Sequence, residues 1–189
     1  RSGFTLIEMT VSLGLFTIIM FIATSAFLTI VNTDRKARSV RIAADNLNIA
    51  LEDMSRRIKT GHDYACDDQV SGTYDCPGGV PSNVLSFDDQ TSTPLLSVRI
   101  VYKRATGPTC GSEYDAAQGC ILRNDKLITS PEIDIRDLKF IVSGSSDLTS
   151  GDTKQPMFVI VIDGSLGSGA TESGFKIQTT VTQRAYDNQ

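Results

Sequence analysis

The pattern of apolar and polar positions changes character twice along the chain. Residues 9–31 form an unbroken run of 23 residues without an ionisable side chain. At about 1.5 Å per helical residue the run is long enough to cross a hydrocarbon core of roughly 30 Å. No proline precedes Pro77, so one helix over residues 4–59 is expected. Gly14 is the only glycine inside it, at a cost of about 1 kcal/mol relative to alanine. After the run, Val40, Ala44, Leu47, Leu51, Met54 and Ile58 recur at alternating steps of four and three. That spacing draws one apolar stripe along a helix. Arg41, Asp45, Asn48, Glu52 and Arg56 keep the other faces polar, and Lys59 followed by Gly61 reads as a C-terminal stop. The stripe predicts packing of the second half of the helix, Leu47 and Leu51 included, against the rest of the chain.

From residue 84 the period becomes two. Residues 84–87 and 95–103 read as strands, the second with Val98, Ile100 and Tyr102 on one face. Residues 121–128 read as a hairpin about the two-residue turn Asn124-Asp125. Residues 135–142 form a further strand, and residues 157–162, apolar throughout, predict a central strand covered on both faces. In residues 175–183, Phe175, Ile177, Thr179 and Val181 alternate with polar neighbours. Residues 143–155 and 164–174 are Gly/Ser/Thr/Asp loops. The expected fold is α+β: a long N-terminal helix laid by its stripe on an antiparallel sheet of about six strands.

The apolar run is preceded by Gly3-Phe4-Thr5-Leu6-Ile7-Glu8. A carboxylate at the centre of a membrane helix costs on the order of 2.5–3.5 kcal/mol, so an acid at the lip of such a segment reads as functional. Without the residues before it, Glu8 would read equally well as an interfacial carboxylate reaching toward lipid headgroups. The hexapeptide followed by an apolar helix resembles the class III signal of type IV pilins and type II secretion pseudopilins. The resemblance is specific over residues 3–9 and looser to about residue 60. It implies cleavage between Gly3 and Phe4 by a prepilin peptidase, methylation of the new Phe4 amine, and pairing of Glu8 with the N-terminal amine of a neighbouring subunit. Residues 1–3 are then the remnant of a leader and 4–31 a transmembrane and assembly helix. Residues 32–60 form an amphipathic helix, and 61–189 a β-rich head. The implied partners are other pilins or pseudopilins, the peptidase, an inner-membrane assembly platform and membrane lipid. The helix end Leu51-Glu52-Asp53-Met54-Ser55-Arg56-Arg57-Ile58 and the strand-rich head further resemble J-type minor pseudopilins and related minor pilins.

Charge and cysteines refine this picture. Residues 32–60 carry seven Lys/Arg against four Asp/Glu, +3, and residues 61–189 carry ten against seventeen, −7. An acidic head is a poor non-specific ligand for nucleic acid. Cys66, Cys76, Cys110 and Cys120 allow three pairings. The local pairs Cys66–Cys76 and Cys110–Cys120 are favoured because each closes a short, turn-rich loop, for about 3 kcal/mol apiece. Zinc is disfavoured for the cysteines: there is no Cys-x-x-Cys, and the single histidine, His62, neighbours one cysteine only. Paired cysteines place the head outside the cytoplasm. Arg35, Lys36, Arg38 and Arg41 after the apolar run would alone argue the reverse by the positive-inside rule. The cysteines are the stronger indicator, and the expected topology is a single-pass membrane protein with an extracytoplasmic head.

Catalytic chemistry fits poorly, and no enzyme is expected. His62 with Asp63 lies just past a helix stop. Gly144-Ser145-Ser146 lacks the second glycine of a nucleophile elbow. Gly167-x-Gly169 with Gly174 lacks the spacing of a phosphate cradle. Asp67-Asp68 and Asp88-Asp89 are adjacent carboxylates, which point apart on a strand. Asp147 and Asp152 in a glycine-rich loop supply hard oxygen donors of the kind calcium takes, but in no EF-hand order. No other cofactor is expected. Two further functional classes remain open on the sequence. One is a secreted binding protein with a signal peptide cut near residues 23–26. The other is a DNA-uptake or adhesive pilin, for which Arg99, Lys103 and Arg104 would form a local basic patch.

Overall fold

The structure, a computed structural model, describes residues 3–67, 75–76, 78–89, 98–145, 154–167 and 172–184. A single helix, α1, runs over Leu6–Thr60. Residues 1–41 form one compact unit and residues 42–189 another. The second unit therefore includes the last part of the helix, from Ile42 to Thr60.

In the second unit the helix buries Ala43, Leu47, Ala50, Met54 and Ile58. This face is rotated slightly from the stripe expected on sequence. Val40, Ala44 and Leu51 lie at its margin and are half-buried. Ala43 and Ala50 are buried on this face, and the bulkier Leu51 stands on its shoulder.

The strands are β1 His62–Ala65, β2 Pro81–Ser82, β3 Val84–Asp88, β4 Arg99–Thr106, β5 Gly119–Arg123, β6 Lys126–Leu127, β7 Ile133–Ser143, β8 Met157–Leu166 and β9 Ser173–Thr182. They form two antiparallel sheets, not one sheet of six strands: β1-β3-β4-β5-β6 and β2-β7-β8-β9. The two sheets touch where β5 crosses β7. A Cβ on Gly119 would lie 2.0 Å from the Ile135 carbonyl oxygen, so only glycine admits this approach. The Gly119 amide donates to Asp134 Oδ1 at 2.7 Å, and Arg104 Nε donates to the Ile135 carbonyl at 2.6 Å.

The hairpin forms as its turn residues require. Asn124 and Asp125 both have left-handed backbones, φ 48° and 60°, the geometry of a two-residue type I′ turn. Strand β8 is central in its sheet, between β7 and β9. It is fully covered on one face only: Phe158, Ile160 and Ile162 are buried, whereas Val159 and Val161 are half-buried and Met157 is exposed. Continuous apolarity overstated its burial because β-branched residues also suit a half-covered sheet face. Strand β9 alternates as expected, with Phe175, Ile177, Thr179 and Val181 turned toward cover.

The C-terminus of α1 is closed by the head. Its last carbonyls would otherwise be unsatisfied. The Tyr64 hydroxyl lies 2.6 Å from the carbonyl oxygens of both Ile58 and Gly61. The Arg184 amide donates to Lys59 O at 2.8 Å, and Gln183 Nε2 donates to Gly61 O at 2.9 Å. Tyr64 also packs on Phe87 and Phe158, with ring centroids 5.6 and 4.5 Å apart. The helix end is thus fastened to one aromatic from each sheet.

Candidate functional site

The first unit is a helix whose large apolar side chains have no cover. Phe4, Leu6, Ile7, Met9, Phe16 and Phe21 are all more than half exposed, as is every large apolar residue from there to Ile30 that lines the run. The helix is long and apolar enough to cross a membrane. Exposure on all sides of such a segment is tolerable only against lipid or against other apolar helices.

The polar feature at its head is specific. The Thr5 amide donates to Glu8 Oε2 at 3.3 Å, and the Thr5 hydroxyl donates to the same oxygen at 3.1 Å. In return the Glu8 amide donates to Thr5 Oγ1 at 3.4 Å. This is a capping box, in which the residue before the helix and the acid three positions on satisfy each other's orphan amides. The Thr5-x-x-Glu8 spacing carries that signal in the sequence, and the reading of Glu8 above overlooked it. One carboxylate oxygen is held at Thr5, next to the Gly3–Phe4 peptide bond. Gly3 has nothing within 4 Å of the position a Cβ would take, so that bond is sterically open.

Elsewhere, residues singled out in the sequence are engaged in structural pairings. Cys66 is bonded to Cys76 and Cys110 to Cys120, the local connectivity in both cases. The second bridge is buried with Tyr114 and Leu122 in a small cluster of its own. Asp88 and Asp89 point apart, as neighbours on a strand must. Asp88 Oδ1 meets Arg99 Nη1 at 3.2 Å, and Asp89 Oδ2 meets Arg57 Nη1 at 3.1 Å. The trio Arg99, Lys103 and Arg104 makes no basic patch. Arg99 is nearly enclosed beside Asp88, Lys103 pairs with Asp125 at 2.8 Å, and Arg104 turns to the opposite face to reach Ile135. Ser145 is buried and donates to Asp75 Oδ1 at 2.9 Å while accepting the Cys76 amide at 3.1 Å, so it braces the first disulfide. Asp68 and the calcium candidates Asp147 and Asp152 lie outside the described residues.

Sequence reasoning also missed a polar hub between α1 and the first sheet. Asp53 Oδ1 accepts Arg57 Nε at 2.9 Å, and its Oδ2 accepts Arg123 Nη1 at 2.5 Å and the Tyr102 hydroxyl at 3.2 Å. Burial opposes ionisation of Asp53. The hydrogen bond and charge of Arg57, with the charge of Arg123, outweigh it and hold the carboxyl below its ordinary range. Tyr102 is shifted upward, by burial first and by Asp53 second. The hub ties α1 to β4 and β5.

No protein-family model, curated protein or solved structure matches this chain.

Proposed function

We propose that this chain is a pilin-like filament subunit, made as a single-pass membrane precursor and assembled through α1. The observation that carries the reading is the pairing of an uncovered apolar helix with one carboxylate held at its very start. Lipid satisfies the apolar surface before assembly, and a bundle of like helices satisfies it afterwards. In that bundle Glu8 is the only ionisable side chain of the helix from Leu6 to Thr33, and a cation must meet it.

A prepilin peptidase cuts between Gly3 and Phe4, at the sterically open peptide bond, and the Phe4 amine is then methylated. The freed amine is one residue from Thr5, to which Glu8 is already hydrogen-bonded. The carboxylate is therefore held where an N-terminal amine, from a neighbouring subunit or its own chain, can reach it. The head lies outside the cytoplasm, where its disulfides persist. Its strand-rich form suits a minor subunit. The reading includes no catalytic role, and the acidic head, with its three basic candidates separately engaged, offers nothing for non-specific DNA binding.

N-terminal sequencing of the mature protein tests the reading directly. The expected first residue is Phe4, and Gly3→Val should leave the precursor uncut. A mature chain starting near Phe27 would instead establish a secreted protein with an ordinary signal peptide, and normal processing of the Gly3→Val chain would remove the peptidase from the scheme.

A further inference from the structure

The geometry points to a second site, at the foot of α1: we infer that His62, Asp63 and Asp88 bind a divalent transition-metal ion of the zinc class. Their donor atoms all lie within 4.8 Å of one another. In a regular strand, His62 and Asp63 would project to opposite faces. Here Asp63 has a left-handed backbone, φ 54°, and the β1–β3 register slips between His62 and Ala65. This bulge turns the Asp63 carboxylate back to the side of His62, with Nε2 3.7 Å from Asp63 Oδ2. Asp88 stands directly across from His62 on β3. Bulges commonly re-aim a side chain in this way at functional sites.

The imidazole makes no hydrogen bond among the described residues. Its Nδ1 is buried and has no hydrogen-bond partner among the described residues, and 3.7 Å from Nε2 to a carboxylate oxygen is too long for a hydrogen bond. The spacing suits a metal better. Bonds of about 2.0–2.1 Å in a tetrahedron separate neighbouring ligand atoms by about 3.3 Å. One nitrogen and two carboxylate oxygens, with water completing the shell, favour zinc-class ions over calcium or magnesium, which take oxygen donors.

Arg99 shapes the site and limits its affinity. Its Nη1 holds Asp88 Oδ1 and also donates to the Asp63 backbone carbonyl at 3.2 Å. One cation thus fixes both acidic residues in place through atoms the metal does not need, leaving Asp88 Oδ2 and the Asp63 carboxylate to bind. Its positive charge also opposes a second cation, so moderate rather than tight binding is expected. A bound ion would clip β1 to β3 just beyond the end of α1. This inference is independent of the filament reading.

His62 is the only histidine in the chain, which gives a specific readout. The full chain in detergent micelles, labelled at histidine, is titrated with Zn²⁺ and followed by calorimetry and by the ring resonances of His62. The expected result is one ion per chain, with the His62 resonances moving in step with the heat. His62→Gln and Asp63→Asn should each weaken binding about tenfold or more, since each removes one of three protein ligands. Asp63→Asn is the informative second variant, because Arg99 binds the Asp63 carbonyl and not its carboxylate, so the bulge is left in place. Zinc binding that persists in His62→Gln, stationary His62 resonances at saturation, or no binding at millimolar Zn²⁺ would each overturn the inference.

Discussion

Thr5 and Glu8 close a reciprocal pair at the first turn of α1, each donating its backbone amide to the other's side chain. Glu8 therefore has two separable properties, the shape of a helix cap and a negative charge. Glutamine at the same position retains the first and removes the second. Alanine removes both.

The contrast sets the first prediction. Both Glu8→Gln and Glu8→Ala should insert into the membrane at least as well as wild type, because a costly charge is gone. Both should fail to co-purify with filament partners, since a partner's amine is then left in an apolar bundle without a counter-charge. Leaving one member of a buried pair unmatched costs about 3–5 kcal/mol. Protease protection checks topology alongside. Assembly by Glu8→Gln but not by Glu8→Ala would show that the cap matters and the charge does not.

The second prediction concerns the helix face. Leu47 is 2% exposed and Leu51 is half-buried. Leu47→Ala should destabilise the head by about 2–5 kcal/mol, as enclosed leucines do. Leu51→Ala should cost clearly less, because water can fill the space it leaves. Thermal or urea unfolding of the two variants side by side measures the difference. Equal losses would place the core on the shoulder of the helix instead of along Ala43, Leu47, Ala50, Met54 and Ile58.

Those two leucines also mark how far the sequence could be read. Helix α1 was legible nearly to the residue, because a 23-residue apolar run and a stripe of helical period leave little else for that segment to do. The 121–128 hairpin was legible because Asn124-Asp125 tolerates the left-handed backbone its turn needs. The division into two sheets was not. It depends on which strands pair across long separations, and β1 and β2, four and two residues long, are too short to show a period. Ala43 and Ala50 were overlooked for a related reason: they carry little apolar weight, yet both are buried in the face the helix turns to the core. At the head of the chain the opposite happened. Gly3, Phe4 and Glu8 stood out at once, while the plain Thr5-x-x-Glu8 spacing, a local signal, was passed over for a longer-range role. The His62, Asp63 and Asp88 cluster could not be foreseen, since it exists only because the bulge at Asp63 undoes the alternation of β1.

The third prediction concerns the disulfides. Non-reducing peptide mapping of the native protein should find Cys66 joined to Cys76 and Cys110 to Cys120. Replacing the buried pair, Cys110→Ser with Cys120→Ser, should destabilise the head by about 3 kcal/mol or more through loop closure. It also places hydroxyls in the small apolar cluster with Tyr114 and Leu122. A bridge from Cys66 or Cys76 to either later cysteine would contradict the fold, and free thiols throughout would contradict the proposed compartment.

The last prediction concerns Asp53 and acid. Arg57, Arg123 and Tyr102 all converge on this carboxylate, which is 22% exposed. Asp53→Asn leaves Arg57 its second partner, Asp89, but deprives Arg123 of a counter-charge. Lost hydrogen bonds to a charged group and an unmatched cation together should cost about 2–3 kcal/mol, below the value for a fully buried pair because solvent screens the exposed part. The pH dependence follows from the direction of the shift. The folded carboxyl titrates below its ordinary value, so the stability it contributes is fully present above the unfolded value of about 3.9. It is lost as pH falls through the lower, folded value. The stability gap between wild type and Asp53→Asn should therefore be constant from neutral pH to about pH 5 and narrow progressively at more acid pH. Chemical denaturation of both proteins across that range measures the gap. A gap unchanged well below pH 3 would mean that Asp53 holds helix and sheet together by shape and hydrogen bonding alone, and that its charge contributes nothing.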